Sequence, residues 1–88
     1  MKKIYTGKNK TRRILSENLV KLRNKSKLSQ SELALLVGVS LQAIKMFEWK
    51  KLYPSEKTLE TLAKVFKTEV YILLKPSRKP NNIKTKKQ

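Results

Sequence analysis

Eighty-eight residues leave room for one domain around one small core. The chain has no cysteine, histidine or aspartate, and its only acids are six glutamates. A disulfide framework, a thiolate metal site and a Ser-His-Asp arrangement are thereby excluded, and little remains for general acid–base chemistry. Against those six acids stand 22 basic residues, a formal net charge of +16, and such a balance points to a polyanionic partner.

The charge is unevenly placed. Residues 1–13 carry six basic residues and no acid, residues 75–88 carry another six and no acid, and the middle holds a net of +4. Residues 1–10, MKKIYTGKNK, read as a flexible basic arm, because Gly7 and Asn9 discourage a helix and nothing in the stretch is periodic. Ile4 and Tyr5 are its only bulky apolar residues, available either to pin the arm to the body or to form a short strand. Such an arm can follow a phosphate backbone or enter a minor groove; simple disorder is the alternative. Met1-Lys2-Lys3 has the charge of a secretory leader, but Ile4-Tyr5-Thr6-Gly7-Lys8 supplies no apolar middle. No run approaches the roughly 20 apolar residues of a bilayer span, so the expected location is the cytoplasm.

Residues 11–26 have the pattern of a first helix. Leu15, Leu19 and Leu22 recur on one face, with Thr11 as cap or Ser16 as a later one. Ser29 and Glu32 form S-x-x-E, a capping box that opens a second helix over 30–37, with Leu28 as the staple before it. Leu33, Leu36 and Val37 mark its inward stripe, and Ala34 is small enough for a neighbouring helix to approach. Gly38 stands where a helix end requires a positive φ. Val39 plugs the corner, and Ser40 caps a third helix over 41–49, whose apolar residues Ile44 and Phe47 lie three apart. Helix, glycine corner, capped helix is the helix-turn-helix pattern; a plain helical hairpin would share it, and the flanking charge favours the DNA-binding version.

Residues 50–54 form a loop, with Pro54 disfavouring helix at Tyr53. Ser55 caps a fourth helix over 56–66, with Leu59, Leu62, Ala63 and Phe66 inward and Glu60–Lys64 as an outward i, i+4 pair. Residues 68–74 fit either a short fifth helix capped by Thr68 or a C-terminal strand, since the run is rich in strand formers. Residues 76–88 are polar and basic with one apolar residue, Ile83, and are expected to be disordered. The organisation is therefore a basic arm at 1–10, a helical domain at 11–75 and a basic tail at 76–88.

Read in order, Leu22-Arg23, Leu28-Ser29-Gln30, Glu32-Leu33-Ala34, Gly38-Val39-Ser40, Ile44, Glu48, Pro54-Ser55, Leu59, Leu62-Ala63 and Leu73 resemble the helix-turn-helix domain of phage repressors and Cro proteins, the lambda-repressor-like family. The likeness spans residues 19–74, nearly two-thirds of the chain. It implies an all-α, compact five-helix bundle that lays its third helix in the major groove, usually as a dimer on a two-fold symmetric operator.

The resemblance also implies site residues. Gln30 opens the second helix, where backbone amides attract phosphate; its side chain would bond the DNA backbone and steady the start of the third helix. Ser40, Leu41, Gln42, Lys45 and Met46 would face the groove. Gln42 has the donor–acceptor pair that matches adenine, and Leu41 can sit against a thymine methyl. Lys45 reaches either guanine or a phosphate, and Met46 either a base or a gap in the core. Arg23 and Glu48 would pair to set the angle of the third helix, with Arg23 adding a phosphate contact.

There are departures. Lys50 stands where relatives carry Gly or Asn after the third helix, removing the usual reason for a left-handed cap, and with Lys51 adds charge beside the DNA backbone. Lys67 makes the same replacement before the last helix. Trp49 is expected to pack under its loop, with stacking on a DNA sugar or a subunit interface as the other readings. Relatives often have acids where Tyr71 and Ile72 stand; with Leu74 these give an apolar surface suited to a homodimer. The expectation is a sequence-specific double-stranded DNA-binding transcriptional regulator, a repressor with no enzymatic activity, metal or cofactor. An antitoxin-like or coactivator-like adaptor for a protein partner, or a non-specific nucleic-acid binder, are the alternatives.

Overall fold

The computed structural model describes residues 2–76, with side chains from Lys10 onward. It contains α1 (Lys2–Lys25), α2 (Gln30–Val37), α3 (Leu41–Glu48), α4 (Glu56–Val65) and α5 (Val70–Leu73), and no strand among the described residues. Each helix contributes to one core. Leu15 and Leu19 come from α1, Leu33 and Ala34 from α2, Ile44 and Phe47 from α3, Leu59, Leu62 and Ala63 from α4, and Leu73 from α5. α2 packs on α3 and α4, while α1 packs on α3 and α5 and closes the bundle. No described helix is long and apolar enough to cross a membrane.

Serine caps start the three central helices. The Ser29 hydroxyl accepts from the Glu32 amide at 2.9 Å and the Glu32 carboxylate accepts from the Ser29 amide at 2.8 Å, closing the capping box. The Ser40 hydroxyl accepts from the Ala43 amide at 3.0 Å, and that of Ser55 from the Thr58 amide at 3.2 Å. Four helices end in the same way, with a left-handed residue after the last turn: Lys27 (φ 58°), Gly38 (φ 83°), Lys50 (φ 64°) and Lys67 (φ 55°). The following amide then reaches back to a carbonyl in the last turn: Leu28 to Arg23, Val39 to Ala34, Lys51 to Met46 and Thr68 to Ala63. These are Schellman ends. Only one of the four uses glycine; Lys50 and Lys67 adopt the cap despite carrying a Cβ, because the bond it makes satisfies otherwise orphaned carbonyls.

The structure corrects several expectations. α1 begins at Lys2 and takes in the residues read as an arm; Thr11 lies inside it. Gly7 and Asn9 cost helix propensity of about 1 kcal/mol or less each, while propagation from the packed turns beyond them adds a backbone bond per residue. Residues 77–88, most of the expected tail, lie outside the described residues, as does Met1. Ser16 caps nothing: it is buried, and its hydroxyl donates to the Glu48 carbonyl at 2.6 Å. Leu36 is 57% exposed and Leu35 83% exposed. At about 100° per residue, the face that buries Leu33 and Ala34 also takes in Gln30 and Val37 and leaves Leu36 well to one side. Residues 70–73 form a helix, with Glu69 rather than Thr68 at its cap position and no side-chain cap bond. Trp49 is 55% exposed instead of packed under its loop.

Candidate nucleic-acid interface

The outward face of α3 follows from its inward one. Ile44 and Phe47 are buried in the core, and Ala43 packs against it. Leu41 and Gln42 are therefore left exposed, and Lys45 and Met46 half-exposed, on the far side. Ser40 is exposed; its hydroxyl oxygen accepts from the Ala43 amide in the cap, which leaves its O–H to donate outward. Lys50 and Lys51 are exposed just past the helix, Lys50 in the left-handed conformation that turns the chain there. Lys45, Lys50 and Lys51 thus lie on or beside this surface, and the acid within the helix is withdrawn from it.

That acid is Glu48, which holds the end of α3 in place. The Nε of Arg23 donates to its Oε2 at 2.7 Å and Nη2 to its Oε1 at 3.2 Å, a bidentate pair, while Nη1 donates to the Leu28 carbonyl at 2.9 Å. The Gln30 amide donates to Glu48 Oε1 at 2.9 Å. With Ser16 on the Glu48 carbonyl, α1 and α2 both meet on one residue at the end of α3, and Arg23 links that residue to the α1–α2 loop. The Glu48 side chain is 4% exposed and that of Arg23 15% exposed. A charge pair so withdrawn from water persists only when its remaining hydrogen-bonding capacity is met; here both Glu48 oxygens accept, and each guanidinium nitrogen of Arg23 donates once.

Two residues of the expected site are drawn into the protein's own hydrogen bonds. Gln30 is tied to the last residue of α3, not to its start, and its second amide N–H has no partner among the described residues. Arg23 has all three guanidinium nitrogens engaged inside the protein. On and after α5, Tyr71 is 66% and Ile72 37% exposed, whereas Leu74 packs against the core. Asn18 was missed by sequence reasoning. Its amide donates to the carbonyls of Leu73 at 2.7 Å and Lys75 at 2.9 Å, tying the end of α5 to α1. The available signal was a polar residue inside the Leu15–Leu19–Leu22 stripe.

With this geometry in hand, a helix-turn-helix family profile matches residues 19–73, a span that takes in α2, α3, α4 and α5 and the last turns of α1. The chain belongs to the helix-turn-helix family of Cro/C1 type. This is a family of double-stranded DNA-binding regulators of transcription. Among solved structures, the helix-turn-helix chain is similar to a hypothetical transcription factor, NHTF, from Neisseria. That likeness has a TM-score of 0.73 and 27% identity over 76% of this chain and 77% of the other. No curated protein matches it.

Proposed function

We propose that this helix-turn-helix protein is a transcriptional repressor that binds a two-fold symmetric operator as a homodimer, reading base edges with α3. The observation that carries this reading is the exposed Leu41–Gln42–Lys45–Met46 face of α3, held at its end by the Arg23–Glu48–Gln30 network. Gln42 supplies the paired donor and acceptor that adenine presents in the major groove, and Leu41 a surface for a thymine methyl. Lys45, Lys50 and Lys51 supply base or phosphate contacts, and the uncommitted N–H of Gln30 a phosphate contact at the start of α2. Arg23 contributes mainly by fixing α3, with a phosphate contact from the guanidinium N–H groups that its internal bonds do not use.

The exposed Tyr71 and Ile72 support the dimer. A C2 dimer presents two copies of α3 to half-sites about 34 Å apart, one turn of the duplex, and repression follows by covering a promoter. Selection of bound sites from random duplex DNA tests the reading. The expected product is a palindromic consensus with half-sites one turn apart; recovery of sequences without a consensus would sink it.

A further inference from the structure

We propose that the groove between α1 and α5 is a docking site for an acidic, amphipathic segment of a partner protein. The groove has a volume of about 690 Å³ and is lined by Lys21, Leu22 and Lys25 of α1 and by Ile72, Lys75 and Pro76 at and after α5. No residue of α2 or α3 lines it, so it is separate from the candidate DNA-reading face. Its two walls are fixed to each other, because the buried Asn18 amide bridges from α1 to the carbonyls of Leu73 and Lys75.

The chemistry of the lining selects the occupant. Leu22, Ile72 and Pro76 offer apolar surface, Lys25 and Lys75 offer charge, and no carboxylate is among the lining residues. The chain's own residues 77–88 carry five basic residues and no acid, so they are mismatched to a lysine-lined groove. The same groove on a second copy is mismatched for the same reason. A DNA phosphate would satisfy Lys25 and Lys75 but leave Leu22 and Ile72 against water. A segment that alternates carboxylates with aliphatic side chains satisfies both halves at once. Ile72 also belongs to the proposed self-association surface, so a filled groove and the dimer exclude each other, and the partner would release the operator. That consequence rests on the proposed dimer; the binding itself does not.

The test uses the full chain, labelled for amide NMR, titrated with a synthetic helical peptide carrying Leu and Glu on one face. The expected result is movement of the Leu22, Lys25, Ile72 and Lys75 signals while those of Gln42 and Lys45 stay in place. A peptide with Gln for every Glu, and separately the chain with Lys25→Glu and Lys75→Glu, each bind about tenfold more weakly. In a chain with Tyr71→Glu, a residue outside the groove, binding persists, which keeps the outcome independent of self-association. Equal affinity for the Gln peptide, peptide shifts confined to the basic ends, or loss of binding in Tyr71→Glu overturns the proposal. So does random-sequence duplex DNA that moves the groove signals as strongly as those of α3, which would make the groove a phosphate-contact surface.

Discussion

Lys67 sits at φ 55° between α4 and α5, in a region that a side chain with a Cβ enters at a cost. Glycine enters it freely but loses more entropy on folding. The balance favours Lys67→Gly by about 0.5–1 kcal/mol, and chemical denaturation should show a higher midpoint with an unchanged slope. Gly38 gives the converse case. A Cβ there meets nothing within 4 Å, so Gly38→Ala should cost only the conformational strain of φ 83°, about 1 kcal/mol. A much larger loss would mean that the corner between α2 and α3 is packed more tightly than the structure shows. Arg23→Ala is a different kind of change. It leaves the Glu48 carboxylate buried with only Gln30 against it, and the expected destabilisation is about 3–5 kcal/mol. The double change Arg23→Ala with Glu48→Ala should cost clearly less than the two single changes added together, since it leaves no charge stranded.

At the level of elements, the features carried by short-range chemistry were legible in the sequence. Ser29 with Glu32, Gly38 and Ser40 each act through bonds spanning a few residues, so α2, its corner and the start of α3 could be read directly. The pairing of Arg23 with Glu48 was reached only through family likeness, because 25 residues separate the two. The Ser16 bond to Glu48 and the Asn18 bonds to the end of α5 depend on helices packing across the core, and no local pattern announces them. Leu36 departs from the expected stripe because an eight-residue helix has too few turns for periodicity to separate its buried face from the flank beside it. Exposed Trp49 is a similar case: burial after α3 depends on the path of the loop, and hydrophobicity alone does not give that path. For α3 as a unit, the expected division is between positioning and reading. Gln42→Ala should cost about 1–3 kcal/mol on the selected operator, concentrated at one base position. Its binding to random DNA should be nearly unchanged in a mobility-shift assay, and equal loss on both would remove Gln42 from the reading set.

Over the whole molecule, two quantities of different origin combine in operator affinity. One is the charge held at the ends of the chain. Deleting residues 77–88 removes five basic residues, and each that neutralises a phosphate contributes about 0.9 to the slope of log affinity against log salt. The shortened protein should therefore bind more weakly at low salt and show a slope flatter by up to about 4–5 units, with the same consensus. The other quantity is valency. One small domain reading a half-site gains little by itself, whereas two held at the spacing of a duplex turn bind as a single unit. Tyr71 is the more exposed of the two outward apolar residues on α5, and it is not among the residues that line the α1–α5 groove. Tyr71→Glu would place two carboxylates close together at a two-fold interface without disturbing the core. Sedimentation equilibrium should then report a monomer, against the dimer proposed for the parent chain. Affinity for a palindromic site should fall toward that for a single half-site, which itself should not change. A variant that stays dimeric, or a parent chain that is monomeric even on its operator, would move the self-association surface away from α5.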